Sequence, residues 1–194
     1  MRLKRTEQTL QKLAYDLGQR VKELDCLYGI SQLIGRQGVQ LQEILRGAVS
    51  LILPAFQYPD AACARITLNG QEFRTQNYRE TAWRQAADLL AHRRRVGVLE
   101  VCYLEEKPEA DDGPFLAEEA RLVRTVAEHL SRAAERLRAE EALEASEVRY
   151  RRLFETAQDG ILILDADTGQ IADVNPFLVE MLGYSPQELK GKRL

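Results

Sequence analysis

The C-terminal segment constrains the fold most, because a suitable residue marks each boundary of its strands and helices. The residues from Gly160 to Asp165 alternate like a β-strand, a cluster of turn formers follows, and Gln170 to Val174 is extended again. Asn175 and Pro176 have the side chains of a helix start, and Gly183 has that of a left-handed helix end. The sequence therefore predicts a β-hairpin followed by a short capped helix.

A second short helix is predicted directly after the first. Ser185, Pro186 and Glu188 form a capping box with proline at the first helical position, and the helix is expected to run to Gly191. The order FETAQDGILILD, DTGQIADVN, NPFLVEMLGYS and QELKGK resembles the first half of a PAS domain, the sensory module of bacterial signalling proteins. The resemblance covers residues 150–194. It implies that the strands closing a PAS cofactor pocket are missing here, so we expect no bound cofactor.

The N-terminal quarter is predicted to be a helix with an apolar seam. Arg20 interrupts this seam, and Val21 lies beside it. A parallel coiled coil over residues 1–24 is our interpretation, and a single amphipathic helix lying on its own domain's sheet is the alternative. The seam consists of leucines at every seventh residue, Leu3, Leu10, Leu17 and Leu24, with Leu13 and Leu27 between them.

Residues 25–137 have the pattern of an antiparallel sheet with flanking helices. A helix is predicted from Leu41 to Leu53, a strand from Ala62 to Leu68, and a second strand from Gln71 to Asn77. The Asn-Gly dipeptide between the two strands is typical of a two-residue hairpin turn. A further hairpin is expected from Gln85–Ala91 and Val96–Leu104, around the four residues that begin at His92.

The register of the first hairpin places Arg65 directly opposite Arg74. Two like charges at such a position are unfavourable unless a carboxylate lies between them. Glu72 and Glu100 are the candidates, and a bound anion is the alternative. The same residues have a simpler interpretation as a solvent-exposed face.

The stretches ACARITLNGQEFRTQNYRETAWRQAADLL and VGVLEVCYLEEKPEADDGPFLAEEARLVRTVAEHL resemble a GAF domain. The similarity covers residues 24–137 and is closest to the compact GAF domains that precede PAS modules in bacterial and archaeal sensor histidine kinases. It implies an α+β fold: an antiparallel sheet flanked by N- and C-terminal helices. If a ligand pocket is present, the resemblance points to Arg65, Arg74, Trp83 and Glu100.

A long helix is expected to join the two resemblances, with its start marked by Asp112 and Pro114. Residues 138–149 are interpreted as a signalling-helix linker, because the apolar seam weakens there. Glu140 and Glu144 occupy the next two seam positions, and Leu143 falls out of phase with them. The apolar seam residues before the linker are Val123, Val126, Leu130 and Leu137, and we expect them to contribute to a dimer interface.

These patterns predict the sensory and transmission region of a two-component histidine kinase, with no catalytic or metal-binding residues in this chain. Its expected partners are a second copy in a parallel homodimer and a downstream kinase or output domain. A net charge of −3 gives no reason to expect nucleic acid or membrane binding, and we expect a cytoplasmic protein. Two alternatives remain open: a stand-alone dimerising adaptor, and a thiol-based redox enzyme using Cys26, Cys63 and Cys102.

Overall fold

The computed structural model describes residues 2–193 and the side chains of residues 9–15 and 17–193. Leu3, the first leucine of the predicted seam, has its side chain outside that part of the chain. The architecture is α+β, as predicted, and the chain divides into two compact units between Leu137 and Arg138. No helix within the described residues combines the length and apolar character needed to cross a membrane.

Unit 1 begins with two helices, α1 (Arg2–Ile34) and α2 (Leu41–Leu51). Helix α1 continues beyond Leu24, the last residue of the predicted coiled-coil segment, because neither a proline nor a left-handed residue interrupts it there. Two short 3₁₀ turns, at Leu53–Ala55 and Pro59–Ala61, then lead into the sheet.

The sheet of unit 1 has four antiparallel strands: β1 (Ala62–Leu68), β2 (Gln71–Arg74), β3 (Arg84–Ala91) and β4 (Arg94–Tyr103). The strand order is β2-β1-β4-β3.

The predicted Asn-Gly hairpin is confirmed, including the pairing of Arg65 with Arg74. Strand β2 ends at Arg74 instead of Asn77, and residues 75–83 instead form an irregular segment beside the sheet.

The second hairpin turns more tightly than predicted. His92 and Arg93 have φ values of 51° and 64°, so both residues are left-handed, and β4 starts at Arg94. Left-handed geometry at both central positions is typical of a two-residue hairpin turn, which normally uses asparagine or glycine. The four-residue turn predicted here was therefore too long.

The core of unit 1 lies between one face of the sheet and the helices. This packing corrects the dimer interface expected on the third helix, because Val123, Val126 and Leu130 are fully buried in their own domain, and Leu137 packs partly buried against the same core. Other core side chains include Ile30, Ile44, Leu45, Ile52, Phe56, Ile66, Leu99, Val101 and Phe115.

Helix α3 (Ala117–Thr156) contributes residues to both units. It starts later than Pro114, because Asp112 and Phe115 close a turn first. The Asp111 carboxylate then accepts a hydrogen bond from the backbone N–H of Ala117, at 3.0 Å, and so caps the new helix start.

Unit 2 contains the hairpin of β5 (Leu162–Leu164) and β6 (Ile171–Val174), followed by α4 (Pro176–Leu182) and α5 (Pro186–Leu189). The predicted caps are confirmed. Asn175 accepts from the N–H of Leu178, Gly183 is left-handed with φ 73°, and Ser185 and Glu188 form a complete capping box. Helix α5 ends at Leu189, earlier than the predicted Gly191.

Candidate functional site

A charged cluster occupies the sheet face opposite the core of unit 1. Glu100 is 5% exposed, and its carboxylate accepts hydrogen bonds from Arg65 Nε at 2.8 Å and Nη2 at 2.5 Å. Arg84 Nη1 lies 3.4 Å from the other oxygen of Glu100. The guanidinium groups of Arg65 and Arg84 thus compensate one buried negative charge.

Two further charges extend the cluster toward solvent. Glu72 lies 3.3 Å from Arg74 and 4.0 Å from Arg65, so the carboxylate bridges the two arginines that face each other across the hairpin. Arg74 and Glu72 are largely solvent-exposed, and such pairs contribute little to stability. Of the four predicted pocket residues, the structure therefore brings Arg65 and Glu100 together and joins Arg74 through Glu72.

Trp83 does not belong to the charged cluster. Its side chain is half-buried and packs against the hydrophobic core, and its carbonyl accepts from the Tyr103 N–H at 3.0 Å. A surface cavity of about 420 Å³ lies elsewhere in unit 1, and none of the four predicted pocket residues lines it. Its lining includes Gln57, Tyr58, Asp60, Leu104 and Lys107.

Residues 75–83, here called the strap, cover the charged cluster. Asn77 Nδ2 donates to the Ala62 carbonyl at 3.0 Å, and Arg79 Nη2 donates to the Leu104 carbonyl at 2.8 Å. The ring of Tyr78 lies 4.9 Å from the guanidinium carbon of Arg65, within the range of a cation–π contact. The strap is therefore held by hydrogen bonds on either side of Tyr78, which contacts the cluster.

The hydroxyl of Tyr78 is buried without a hydrogen-bond partner among the described residues. Burial raises the pKa of Tyr78 to about 12, and the nearby carboxylate of Glu100 adds to the rise. The phenol is therefore neutral at physiological pH, and its buried O–H group has no acceptor among the described residues. The side chains of the charged cluster form ion pairs with one another. Among the described residues, no group of histidine, cysteine and carboxylate side chains could hold a metal ion.

We expect Glu100→Ala to lower the free energy of unfolding by about 2 kcal/mol, because Arg65 would lose its partner in a half-buried position. Chemical denaturation followed by circular dichroism measures the change. Glu72→Ala is the matched control, since it removes a carboxylate from the same cluster at an exposed position, and it should cost less than about 0.5 kcal/mol. Equal effects of the two substitutions would contradict the central place of Glu100.

Side chains of α3 form hydrogen bonds with edge strand β3 and with the turn that follows it. The N–H of Leu90 donates to Ser131 Oγ at 3.0 Å, and the N–H of His92 donates to Glu135 Oε1 at 2.6 Å. Strand β3 is an edge strand, so these side chains satisfy donors that would otherwise face water or another strand. The arrangement, here called the edge contact, couples the left-handed turn at His92 to α3. No local sequence pattern predicts it.

Glu119 is a further structural residue that the sequence did not predict. Its buried carboxylate accepts from the N–H of Gln57 at 2.6 Å, the N–H of Leu116 at 2.8 Å and the hydroxyl of Tyr103 at 3.0 Å. Burial raises the pKa of Glu119, although the three hydrogen bonds act in the opposite direction. This one side chain ties the start of α3 to the sheet and to the segment after α2.

The three cysteines are buried and unbridged. Cys63 and Cys102 lie directly opposite each other on β1 and β4. Burial raises the pKa of the Cys102 thiol, and it raises that of Cys26 to about 12, with Glu23 contributing. Because a thiolate is the reactive form, this environment disfavours thiol chemistry at these two residues.

In unit 2, the side chain of Asn175 is the structural centre. Fully buried, it accepts at Oδ1 from the N–H groups of Ile161 and Leu178, at 2.9 and 3.1 Å. Its Nδ2 donates to the carbonyl of Asp159 at 2.9 Å. A small apolar cluster of Ile171, Val174, Leu178 and Leu189 packs beside it.

Residues 148–194 match the family model described as "PAS domain". This segment contains the hairpin, the Asn175 cap and both short helices of unit 2, so we call it the PAS segment. The PAS part of the sequence interpretation is thereby confirmed.

Two known proteins resemble parts of the chain. A methyl sulfide methyltransferase-associated sensor of Methanosarcina acetivorans is 38% identical over 72 residues, which are 37% of this chain and 7% of that protein's length. A chain of the crystallised E. coli DhaR(N)–DhaL complex covers 56% of this chain at 16% identity, and 35% of that chain is covered. The TM-score of 0.34 is too low for an inference about fold. The PAS match and the sensor-named relative support a sensory role in signalling.

Proposed function

We propose that this chain is the input and transmission region of a cytoplasmic sensor histidine kinase. Unit 1 would serve as a GAF-like input domain, α3 as the signalling helix, and the PAS segment as the next module. The observation that carries the proposal is the position of the PAS match, which starts at residue 148 within α3, while Val123 and Leu130 of the same helix are core residues of unit 1.

A change in the sheet would reach α3 through contacts that unit 1 provides. The edge contact joins Ser131 and Glu135 to strand β3, and Glu119 joins the helix start to Tyr103 of strand β4. A shift of either strand therefore acts on side chains of α3. Packed helices respond to such shifts by small rotations or translations between discrete arrangements.

The pattern of exposure along α3 supports a change of packing in the helix after Leu137. Up to that residue the apolar side chains are buried in unit 1, whereas Leu143 and Val148 are exposed. Glu140 and Glu144 occupy the positions where the buried seam would continue. A seam with polar residues at such positions favours no single packing strongly, which suits a transmitting element.

In this proposal the chain itself has no catalytic residues, and phosphoryl transfer belongs to the kinase of which it is the input. The test is phosphate transfer by the native protein, captured from its own cells with an antibody against unit 1. Incubation with labelled ATP should give acid-labile, base-stable phosphate on a protein much larger than 22.1 kDa. A native protein of that mass without phosphate incorporation would contradict the kinase context, whereas a native mass near 22.1 kDa would favour the stand-alone adaptor.

A further inference from the structure

Helix α1 has two apolar faces, and only one of them is covered. Cys26 and Ile30 on the first face are buried in the core of unit 1. Leu17, Leu24 and Tyr28 on the opposite face are 64%, 64% and 67% exposed. A row of large apolar side chains left in water is typical of an interaction surface.

The exposed row has an uninterrupted heptad spacing when Val21 is part of it. The spacing alternates between four and three residues without a break. We call this row the α1 stripe, and it consists of Leu10, Ala14, Leu17, Val21, Leu24 and Tyr28.

The structure distinguishes this frame from the seam expected from the leucines alone. That seam would place Arg20 at a core position and would continue to Leu27, but Leu27 is partly buried against the core of its own unit. Every member of the α1 stripe is exposed. Leu13 then lies at the flank of the stripe.

We propose that the α1 stripe binds the α1 stripe of a second copy of this chain, in a parallel and in-register coiled coil. The proposal deepens the proposed function by giving the parallel homodimer expected from the sequence an interface. In this frame leucines occupy the d positions, and the a positions are Ala14, Val21 and Tyr28. The β-branched Val21 beside leucine is the layer that favours two parallel strands. Helix α3 offers no equivalent in unit 1, since its outward face there carries Arg121, Arg124, Glu128 and Arg132.

Charge complementarity identifies the orientation of the second copy. Arg20 lies at a g position and Asp25 at the e position of the following heptad, and both are exposed. In a parallel, in-register pair, Arg20 of each copy faces Asp25 of the other, which gives two ion pairs across the interface. In an antiparallel pair g faces g and e faces e, so these two side chains would not meet.

Sedimentation equilibrium of the chain tests the interface without any assay of kinase output. We expect a mass near twice 22.1 kDa for the wild type and a monomer for Val21→Glu. Tyr15→Glu is the matched control, because Tyr15 is exposed on a side face of the same helix, and this variant should remain a dimer. A monomeric wild type, or a dimeric Val21→Glu, would overturn the proposal whether or not the native protein is a kinase.

Charge reversal tests the parallel register. Arg20→Asp and Asp25→Arg should each weaken the dimer about five- to tenfold, because each turns two attractions into repulsions, and the double variant should recover most of the loss. A double variant no tighter than the single ones would overturn the register. A large gain in affinity from Arg20→Leu would overturn the frame, because it would place residue 20 in the coiled-coil core.

Discussion

Gly97→Ala is expected to lower the free energy of unfolding of unit 1 by more than about 3 kcal/mol, the largest effect we anticipate from a single methyl group. A Cβ atom at position 97 would lie 1.9 Å from the carbonyl oxygen of Thr67 and 2.9 Å from its carbonyl carbon. Both atoms are backbone, so no side chain can move aside. Strands β1 and β4, the two inner strands of the sheet, would have to separate at their last residue pair, Leu68 and Gly97.

Chemical denaturation followed by circular dichroism measures this loss. Gly70→Ala is the matched control in the neighbouring turn, where φ is +81° but no atom lies within 4 Å of the added Cβ. It should cost only the backbone strain of a left-handed residue, about 1–2 kcal/mol. If Gly97→Ala cost no more than Gly70→Ala, the close approach of β1 to β4 would be contradicted.

Glu119→Ala is expected to lower the free energy of unfolding by about 3 kcal/mol, because the donors on Gln57, Leu116 and Tyr103 would lose their acceptor in a buried or half-buried site. Thermal and chemical unfolding both report the change. Glu118→Ala is the control, since Glu118 lies in the same helical turn with half its side chain exposed, and its change should stay within about 0.5 kcal/mol. Similar losses for the two variants would contradict the bridging role of Glu119.

The pH dependence of stability gives a second test of Glu119. Because burial raises the pKa of Glu119 above that of the unfolded chain, the folded state binds this proton more tightly. The resulting stabilisation is fully present below the unfolded pKa and is lost as the pH rises through the raised folded pKa. The unfolding free energy of the wild type minus that of Glu119→Gln should therefore fall as the pH rises over that window, because residue 119 of the variant does not titrate. A constant difference would contradict the raised pKa.

The PAS segment was the part most completely predicted from sequence, because its structure depends on local signals. The Asn175 cap, the left-handed Gly183 and the capping box at Ser185 each involve residues within one helical turn. The first hairpin of unit 1 was predicted with its register for the same reason, since the Asn-Gly turn fixes the pairing of the adjoining residues.

The charged cluster was only half predictable. Glu100 was expected beside Arg65 from the need to separate two arginines, whereas Arg84 and the strap were not anticipated. The strap lies in a segment that resembled the continuation of a strand. Glu119 and the edge contact join residues far apart in sequence, and no local pattern distinguishes such a glutamate from one that merely faces solvent.

The apolar seams show where spacing alone cannot decide. Val123 and Leu130 have the same seven-residue spacing as Leu17 and Leu24, yet the first pair is buried in the core and the second pair is exposed. Spacing records only that one face of a helix is apolar, and the partner of that face is set by tertiary packing. The exposed fraction of each side chain was therefore needed to separate a core helix from an interaction surface.

The most direct test of the proposed transmission is to change the phase of α3 in the native protein. Two residues inserted between Glu141 and Ala142 would rotate the following helix by about 200°, whereas seven would restore nearly the original phase. We predict that the two-residue insertion changes the rate of phosphate incorporation by at least about tenfold and that the seven-residue insertion leaves it near wild type. Equal rates for both insertions would contradict transmission through the helix.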